Sequence, residues 1–296
     1  MTLVVTINGP ETIWLVADRR LTAGPRIDME DATKAIFLDT TDGRAILAYA
    51  GLGRTLRGTQ PSDWMSAVLR TRNLPLEHAL AALADAAKRE LPPHLHPDLP
   101  HFIVIPAFVN GDARFYSIDL VRAPGENWAV RYGRYATDKP AGSPLRTPRW
   151  RCAGTGAGKL EKDQSWLRPL LQLIAAYDRK KISALVVADR LAAINFDVHK
   201  AVPTVGPRCF VGWRGRKGGG AHQFYNGTVR EVDGRSGGVP MISCGMDMKA
   251  VSSAILPHSR REFRAMRQGK APDPTMNEQI NAELAKLPDK PDERLR

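Results

Sequence analysis

Residues 2–20 read Thr-Leu-Val-Val-Thr-Ile-Asn-Gly-Pro-Glu-Thr-Ile-Trp-Leu-Val-Ala-Asp-Arg-Arg. Two stretches rich in β-branched residues, Leu3–Ile7 and Thr12–Asp18, flank Asn8-Gly9-Pro10, a turn signal that predicts a β-hairpin. The hairpin carries Thr2 at its opening and Asp18 at its close. Just outward, Lys34–Asp39 and Ala45–Ala50 bracket Thr41-Asp42-Gly43 and predict a second pair of strands, with Lys34 opening the first.

Beyond these strands the spacing of apolar residues changes to a helical one. Helices are expected over Asp63–Arg70, after Pro61-Ser62, and over Leu76–Leu91, stopped by Pro92-Pro93. Strands return at Phe102–Val109, Arg114–Leu120 and Trp128–Tyr135, and Trp150–Ala153 leads into a glycine-rich turn. Two more helices are expected, Ser165–Tyr177 and Ile182–Phe196, then a hairpin of Arg208–Trp213 and Ala221–Tyr225 around Gly218-Gly219-Gly220. Helical pairs set among antiparallel hairpins suit two stacked sheets with helices on both outer faces, an α+β, four-layer α/β/β/α sandwich. A doubly wound parallel sheet would instead alternate single helices with strands. Residues 2–256 are expected to form one domain, of which 215–256 is a divergent extension. Residues 257–296 are expected to form a basic helix and a mobile polar tail, Pro-rich and without aromatics from Ala271.

Composition narrows the class. The chain has 296 residues, 43% hydrophobic and 25% charged, which allows one large domain or two ordinary ones and excludes disorder for most of its length. No apolar run approaches the ~20 residues of a membrane span, and the start lacks a basic segment followed by an apolar one, so neither membrane nor signal peptide is expected. Cys152, Cys209 and Cys244 cannot all pair and lack metal-ligand spacing, which fits a reducing cytoplasm. The net charge is +12. Its densest cluster is Arg260, Arg261, Arg264, Arg267 and Lys270, at spacings that place several on one helical face. A solvated basic helix accounts for that cluster, and nucleic acid is not the expected partner.

Several motifs fail on chemistry. Ala153-Gly154-Thr155-Gly156-Ala157-Gly158-Lys159-Leu160 has the outline of a phosphate loop, but alanine replaces its first glycine and Leu160 the magnesium-binding hydroxyl. Gly51-Leu52-Gly53 lacks the third glycine of a dinucleotide turn. His94, His96 and His101 have no cysteine or carboxylate at ligand spacing, so no metal and no cofactor are expected. Thr2 remains. Removal of the preceding methionine would leave a threonine with a hydroxyl nucleophile and a free α-amine of pKa ~7.7–8.0, suited to act as general base. A lysine nearby would hold that amine neutral, and an aspartate would orient the lysine.

Thr2, the segment Ala17-Asp18-Arg19-Arg20 and Lys34 together resemble the proteasome β-type N-terminal-nucleophile hydrolases, in order and in spacing. The resemblance implies roles for Thr2, Asp18, Lys34 and Thr155 in catalysis, with Thr155 in the place of a serine that hydrogen-bonds the terminal amine. Ala48-Tyr49-Ala50-Gly51-Leu52-Gly53 is similar to the family's glycine segment and implies Gly51 as the oxyanion N–H donor. Arg20, Thr22 and Ala23 lie on the segment that lines the substrate cleft in that family. One departure stands out. The family's Asp-x-x-Ser-Gly-Gly has its literal copy at Asp233-Gly234-Arg235-Ser236-Gly237-Gly238, with no helix leading into it. By order the matching place is Ala201–Gly206, where Thr204 replaces the serine and the aspartate is missing; Thr204 is favoured, with Asp233 and Ser236 as the alternative. The resemblance implies a threonine peptidase acting on peptide or protein substrates as a homo-oligomeric ring, to which an ATP-driven unfoldase could dock. A small-amide acylase on the same fold, or a non-catalytic assembly or nucleic-acid-binding protein, are the alternatives.

Overall fold

The computed structural model describes residues 2–23, 26–51, 53, 58–96, 101–122, 127–134, 148–231, 238–271 and 273–287. The chain is a mixed α/β protein. It opens with strands β1 (Val4–Asn8), β2 (Thr12–Asp18), β3 (Leu21–Ala23), β4 (Arg26–Met29), β5 (Ala35–Asp39) and β6 (Gly43–Ala50). Helices α1 (Pro61–Leu69) and α2 (Leu76–Glu90) follow, then strands β7 (His101–Val109), β8 (Asp112–Val121), β9 (Ala129–Arg134) and β10 (Arg149–Ala153). Next come α3 (Ala157–Lys162), α4 (Leu167–Asp178) and α5 (Ala184–Ala201). Strands β11 (Arg208–Gly215), β12 (Gly220–Asn226), β13 (Val229–Arg230), β14 (Met241–Ser243) and β15 (Met246–Asp247) lead to α6 (Met248–Arg267) and α7 (Met276–Ala285).

Among the described residues, one sheet runs β10-β1-β2-β11-β12-β13 and a second β15-β14-β5-β6-β7-β8-β9, while β3 and β4 form a separate hairpin. All seven residues of β2 are buried, and its alternating side chains serve two different cores. Trp14 and Val16 join Leu3, which precedes β1, and Val5 and Ile7 of β1 against Leu170, Ile174 and Leu191 of α4 and α5. Ile13, Leu15 and Ala17 point the other way and meet Phe37, Ile46, Ala48 and Phe108 of the second sheet. On β6 the same alternation sends Leu47 and Tyr49 toward Trp64, Leu80 and Leu83 of α1 and α2. Burial on both faces explains why these strands read as nearly continuous apolar runs, and each fully buried large aliphatic side chain contributes roughly 1.5–3 kcal/mol.

The helix ends follow local chemistry. Pro61 occupies the first turn of α1, where its missing N–H costs nothing, and Lys88 and Arg89 sit in the last turn of α2, complementing the helix dipole. The Asp247 side chain caps α6, accepting from Lys249 N at 3.1 Å and Ala250 N at 3.2 Å, and its other oxygen pairs with Arg70 at 2.7 Å.

Five features differ from the sequence expectation. The β3–β4 hairpin and the short helix α3 were not anticipated, and β14 adds to β5 in parallel. Helix α6 begins at Met248 and carries Pro257 inside it, so the expected boundary at residue 257 falls within a helix. Met276–Ala285, expected in a mobile tail, is helical, being built of strong helix formers and secured by Asp273 N donating to Glu262 at 2.9 Å. Among the described residues no helix is long and apolar enough to cross a membrane.

Candidate active site

The first hairpin pairs Val4 with Ala17, so the residues just outside that register, Thr2 and Leu3 on one strand and Asp18 on the other, meet at one end of the sheet. The backbone tightens the junction. Asp18 N donates to the Leu3 carbonyl at 3.0 Å, and Leu3 N donates to Asp18 Oδ1 at 2.8 Å. From the second sheet, Lys34 immediately precedes β5, and Tyr49 N donates to its carbonyl at 2.9 Å, fixing it against β6. Strand ends of two sheets thus converge on one point.

The Thr2 hydroxyl lies between the two charged groups. It donates to Asp18 Oδ1 and accepts from Lys34 Nζ at 2.5 Å, while Lys34 Nζ also donates to Asp18 Oδ1 at 2.9 Å. All three residues are buried; Thr2 is 2% exposed, Asp18 0% and Lys34 4%. A buried ion pair is tolerated only when its remaining hydrogen-bonding capacity is met. Here Asp18 Oδ2 accepts from Arg20 N at 3.2 Å and from Gly206 N at 3.1 Å. Burial pushes the Lys34 ammonium below its ordinary value, with the adjacent Asp18 carboxylate opposing that fall. The site therefore presents a positioned hydroxyl next to a cation in surroundings of low dielectric.

The glycine turn after β10 wraps around Thr2. Gly156 N donates to the Thr2 carbonyl at 3.3 Å, and Gly154, at φ +88°, lies so close that a Cβ there would fall 2.1 Å from the same oxygen. Between them Thr155 is exposed, and its hydroxyl is 3.1 Å from that of Thr204. The segment after α5 thus reaches the site through Thr204 and through Gly206, whose carbonyl accepts from the buried Asn195 at 3.1 Å. Asp233 and Ser236, the alternative supports, lie outside the described residues.

Gly51 follows β6 directly, two residues past Tyr49, with φ +117°, a conformation that favours glycine. Gly53 approaches β3 closely, for a Cβ there would sit 3.2 Å from the Thr22 carbonyl. Thr22 and Ala23 are on β3, whose hairpin partner is β4. The Arg20 side chain bonds Glu30 at 2.8 Å through Nη2 and the Pro203 carbonyl through Nη1, bridging β4's end and the segment after α5.

Sequence reasoning did not single out Glu30, Pro203 or Gly206. Backbone donors and acceptors carry no residue signature; the available signal was the turn-forming cluster Pro203-Thr204-Val205-Gly206-Pro207. Two of the thiols, Cys209 and Cys152, are poor competing nucleophiles. Cys209 pairs across the sheet with Asp18, but burial drives its pKa upward, and burial pushes the Cys152 thiol up to about 12. Among the described residues no group of three histidine, cysteine or carboxylate side chains could hold a metal.

No protein-family model matches the chain, and no curated protein matches it. Solved structures do. An Anbu Gly-1 mutant from Hyphomicrobium sp. strain MC1 aligns at TM-score 0.45 and 15% identity over 76% of this chain and 87% of that one. Anbu, an ancestral beta-subunit, from Yersinia bercovieri aligns at TM-score 0.42 and 13% identity over 71% of this chain and 80% of that one.

Proposed function

We propose that the chain is a threonine-type N-terminal-nucleophile hydrolase that cleaves peptide amide bonds. The observation that carries this reading is the Thr2 hydroxyl, held between Lys34 Nζ and Asp18 Oδ1 at the meeting of two sheets. The reading requires that Met1 be removed, which frees the Thr2 amine. The amine then takes the hydroxyl proton as Oγ1 attacks the amide carbon, and Lys34 disfavours protonation of the resting amine by like-charge repulsion. The oxyanion so formed accepts from Gly51 N–H. Breaking of the C–N bond passes the proton from the Thr2 amine to the leaving amine, and a threonyl ester remains. Water adds to the ester, the amine again acting as base, and Oγ1 departs with its proton restored.

The apolar clusters support a four-layer α/β/β/α arrangement, since one joins the two sheets and the others join each sheet to its own helices. On this reading the protein works in the cytoplasm as a proteasome-like homo-oligomer. Intact mass after treatment with a peptide epoxyketone, a reagent that needs both a hydroxyl and a free α-amine on one residue, tests the proposal. Loss of Met1 and one adduct on Thr2 are expected. Retained Met1 with no adduct would overturn it.

One observation favours a binding role as a second reading. Leu256, Phe263 and Met266 are 47%, 66% and 47% exposed on α6, beside the exposed Arg260, Arg264 and Arg267. Salt-dependent DNA retention, abolished by reversing those three charges, would support it.

A further inference from the structure

Arg19 is an unusual strand-end arginine. Its side chain is 2% exposed, and its guanidinium donates in three directions. Nε reaches the Ala32 carbonyl at 3.2 Å, Nη2 the Asp31 carbonyl at 2.5 Å and Nη1 Glu231 Oε2 at 3.3 Å. The guanidinium carbon also lies 4.5 Å from the centre of the Phe224 ring. The main chain adds two bonds, Ala32 N to the Arg19 carbonyl at 3.0 Å and Arg19 N to the Arg208 carbonyl at 2.9 Å. Glu231 is itself held to β12, donating its N–H to the Phe224 carbonyl at 2.9 Å and accepting from Gln223 Nε2 at 2.9 Å.

These bonds fasten residues 31 and 32 to the end of β2, one residue past Asp18. Lys34 stands two residues beyond Ala32, and its ammonium must meet two partners at once. We infer that Arg19, held in place by Glu231, is a positioning residue that sets Lys34 against Thr2 and Asp18. An apolar residue cannot replace it and lysine can do so only in part, because a planar fork is needed to serve two carbonyls and a carboxylate together from one buried site. Burial draws the Arg19 pKa downward and Glu231 opposes this, so the pair maintains the charge that the fork needs.

The kinetic side of this inference rests on the proposed Thr2 chemistry, so the test has two arms. In the full chain, Arg19→Met is expected to lower kcat about 10–100-fold with KM nearly unchanged, as a displaced catalytic group does. Arg19→Lys should recover part of that loss. Adding Arg19→Met to Lys34→Ala should cost less than about 2-fold more, because both changes remove one function. The second arm needs no turnover. The 13Cε resonance of Lys34 is titrated by NMR in the wild type, in Arg19→Met and, should Met prevent folding, in Arg19→Lys and Glu231→Gln. The charged groups around Lys34 are Asp18, Arg20 and Glu30, joined on the proposed reading by the Thr2 amine, and none is altered by these substitutions. A shift of the Lys34 titration toward that of a free lysine is expected. Multiplicative losses in the double variant, or an unchanged Lys34 titration, would overturn the inference. A wild type without Thr2-dependent turnover would strike the hydrolase reading instead, and the titration would still decide the role of Arg19.

Discussion

Gly154→Ala separates the placement of Thr2 from the stability of the fold. Gly154 has φ +88°, and a Cβ there would lie 2.1 Å from the Thr2 carbonyl oxygen, 2.8 Å from its carbon and 2.9 Å from Thr2 Cγ2. An ordinary carbon–oxygen contact is about 3.3 Å, so Thr2 must retreat by roughly 1 Å. The left-handed backbone costs about 1–2 kcal/mol and the overpacking about 1–3 more, for a total of about 2–5 kcal/mol. At ~2–4 °C per kcal/mol for a domain of this size, the melting point should fall roughly 5–20 °C, leaving a folded protein at 25 °C. Turnover should suffer more, because a displacement of about 1 Å at the reacting group costs about 100-fold. The control is Gly158→Ala, in the first turn of α3 with nothing within 4 Å of the added Cβ. It should gain up to ~1 kcal/mol from helix propensity and keep full activity. Peptide turnover and thermal melts of both variants give the answer. Wild-type kcat in Gly154→Ala, or an equal loss in Gly158→Ala, would refute the reasoning.

Thr2→Ser keeps hydroxyl and amine and should retain measurable turnover, whereas Thr2→Ala should be inert, with both stable to within about 1–2 kcal/mol of wild type; a hydrolytically competent Thr2→Ala protein would end the proposed mechanism. Lys34→Ala should fold and lose at least ~100-fold in kcat, and Lys34→Arg should rescue poorly because the guanidinium is bulkier; unchanged turnover would remove Lys34 from the mechanism. His101 and His222 are held below the ordinary 6.5 by burial, so between that value and their lowered ones the unfolded chain binds more protons than the native protein. Stability should therefore decline as pH falls through that window and be insensitive to these groups above it. Melting points between about pH 8 and about pH 5 should show a shallower acid slope in His101→Phe/His222→Phe, and an identical slope would exclude both histidines.

What the sequence made legible follows from how each element is stabilised. The first hairpin and the β5–β6 pair could be read because β-branched runs meet strong turn residues, and the structure pairs Val4 with Ala17 and Ala35 with Ala48. Helix α2 could be read because its apolar face recurs at helical spacing. The hairpin of Leu21–Ala23 and Arg26–Met29 escaped because three or four residues set no period, and β4 is largely exposed. Helix α3 escaped because its six residues follow a Gly-Thr-Gly turn and include Gly158, a poor helix former. At the site, Thr2, Asp18 and Lys34 were legible as side chains at strand ends. Gly206 was not, since it acts through its backbone N–H and carbonyl, and the close approach that needs glycine there, a Cβ falling 2.6 Å from Arg20 Cβ, comes from a residue far away in the chain.

The bonding of Asp18 bears on where a proton can go. Its two oxygens accept from the Thr2 hydroxyl, Leu3 N, Lys34 Nζ, Arg20 N and Gly206 N. Five donors converge on this one carboxylate, which fixes its orientation and ties Thr2 to Lys34. On the proposed mechanism Asp18 is accordingly a positioning group. Lys34, whose ammonium donates to both partners, offers no vacant lone pair while it is charged. On the proposed mechanism the α-amine of Thr2 is the base. Asp18 then acts by holding Lys34, and Lys34 by keeping the amine unprotonated. This assignment makes the site conditional on one covalent event, the loss of Met1. A protein variant that retains an N-terminal residue before Thr2 should keep the same fold and the same buried ion pair yet show no turnover, and trimming that residue with an aminopeptidase should switch activity on. Equal turnover before and after trimming would return the role of base to Asp18 or Lys34.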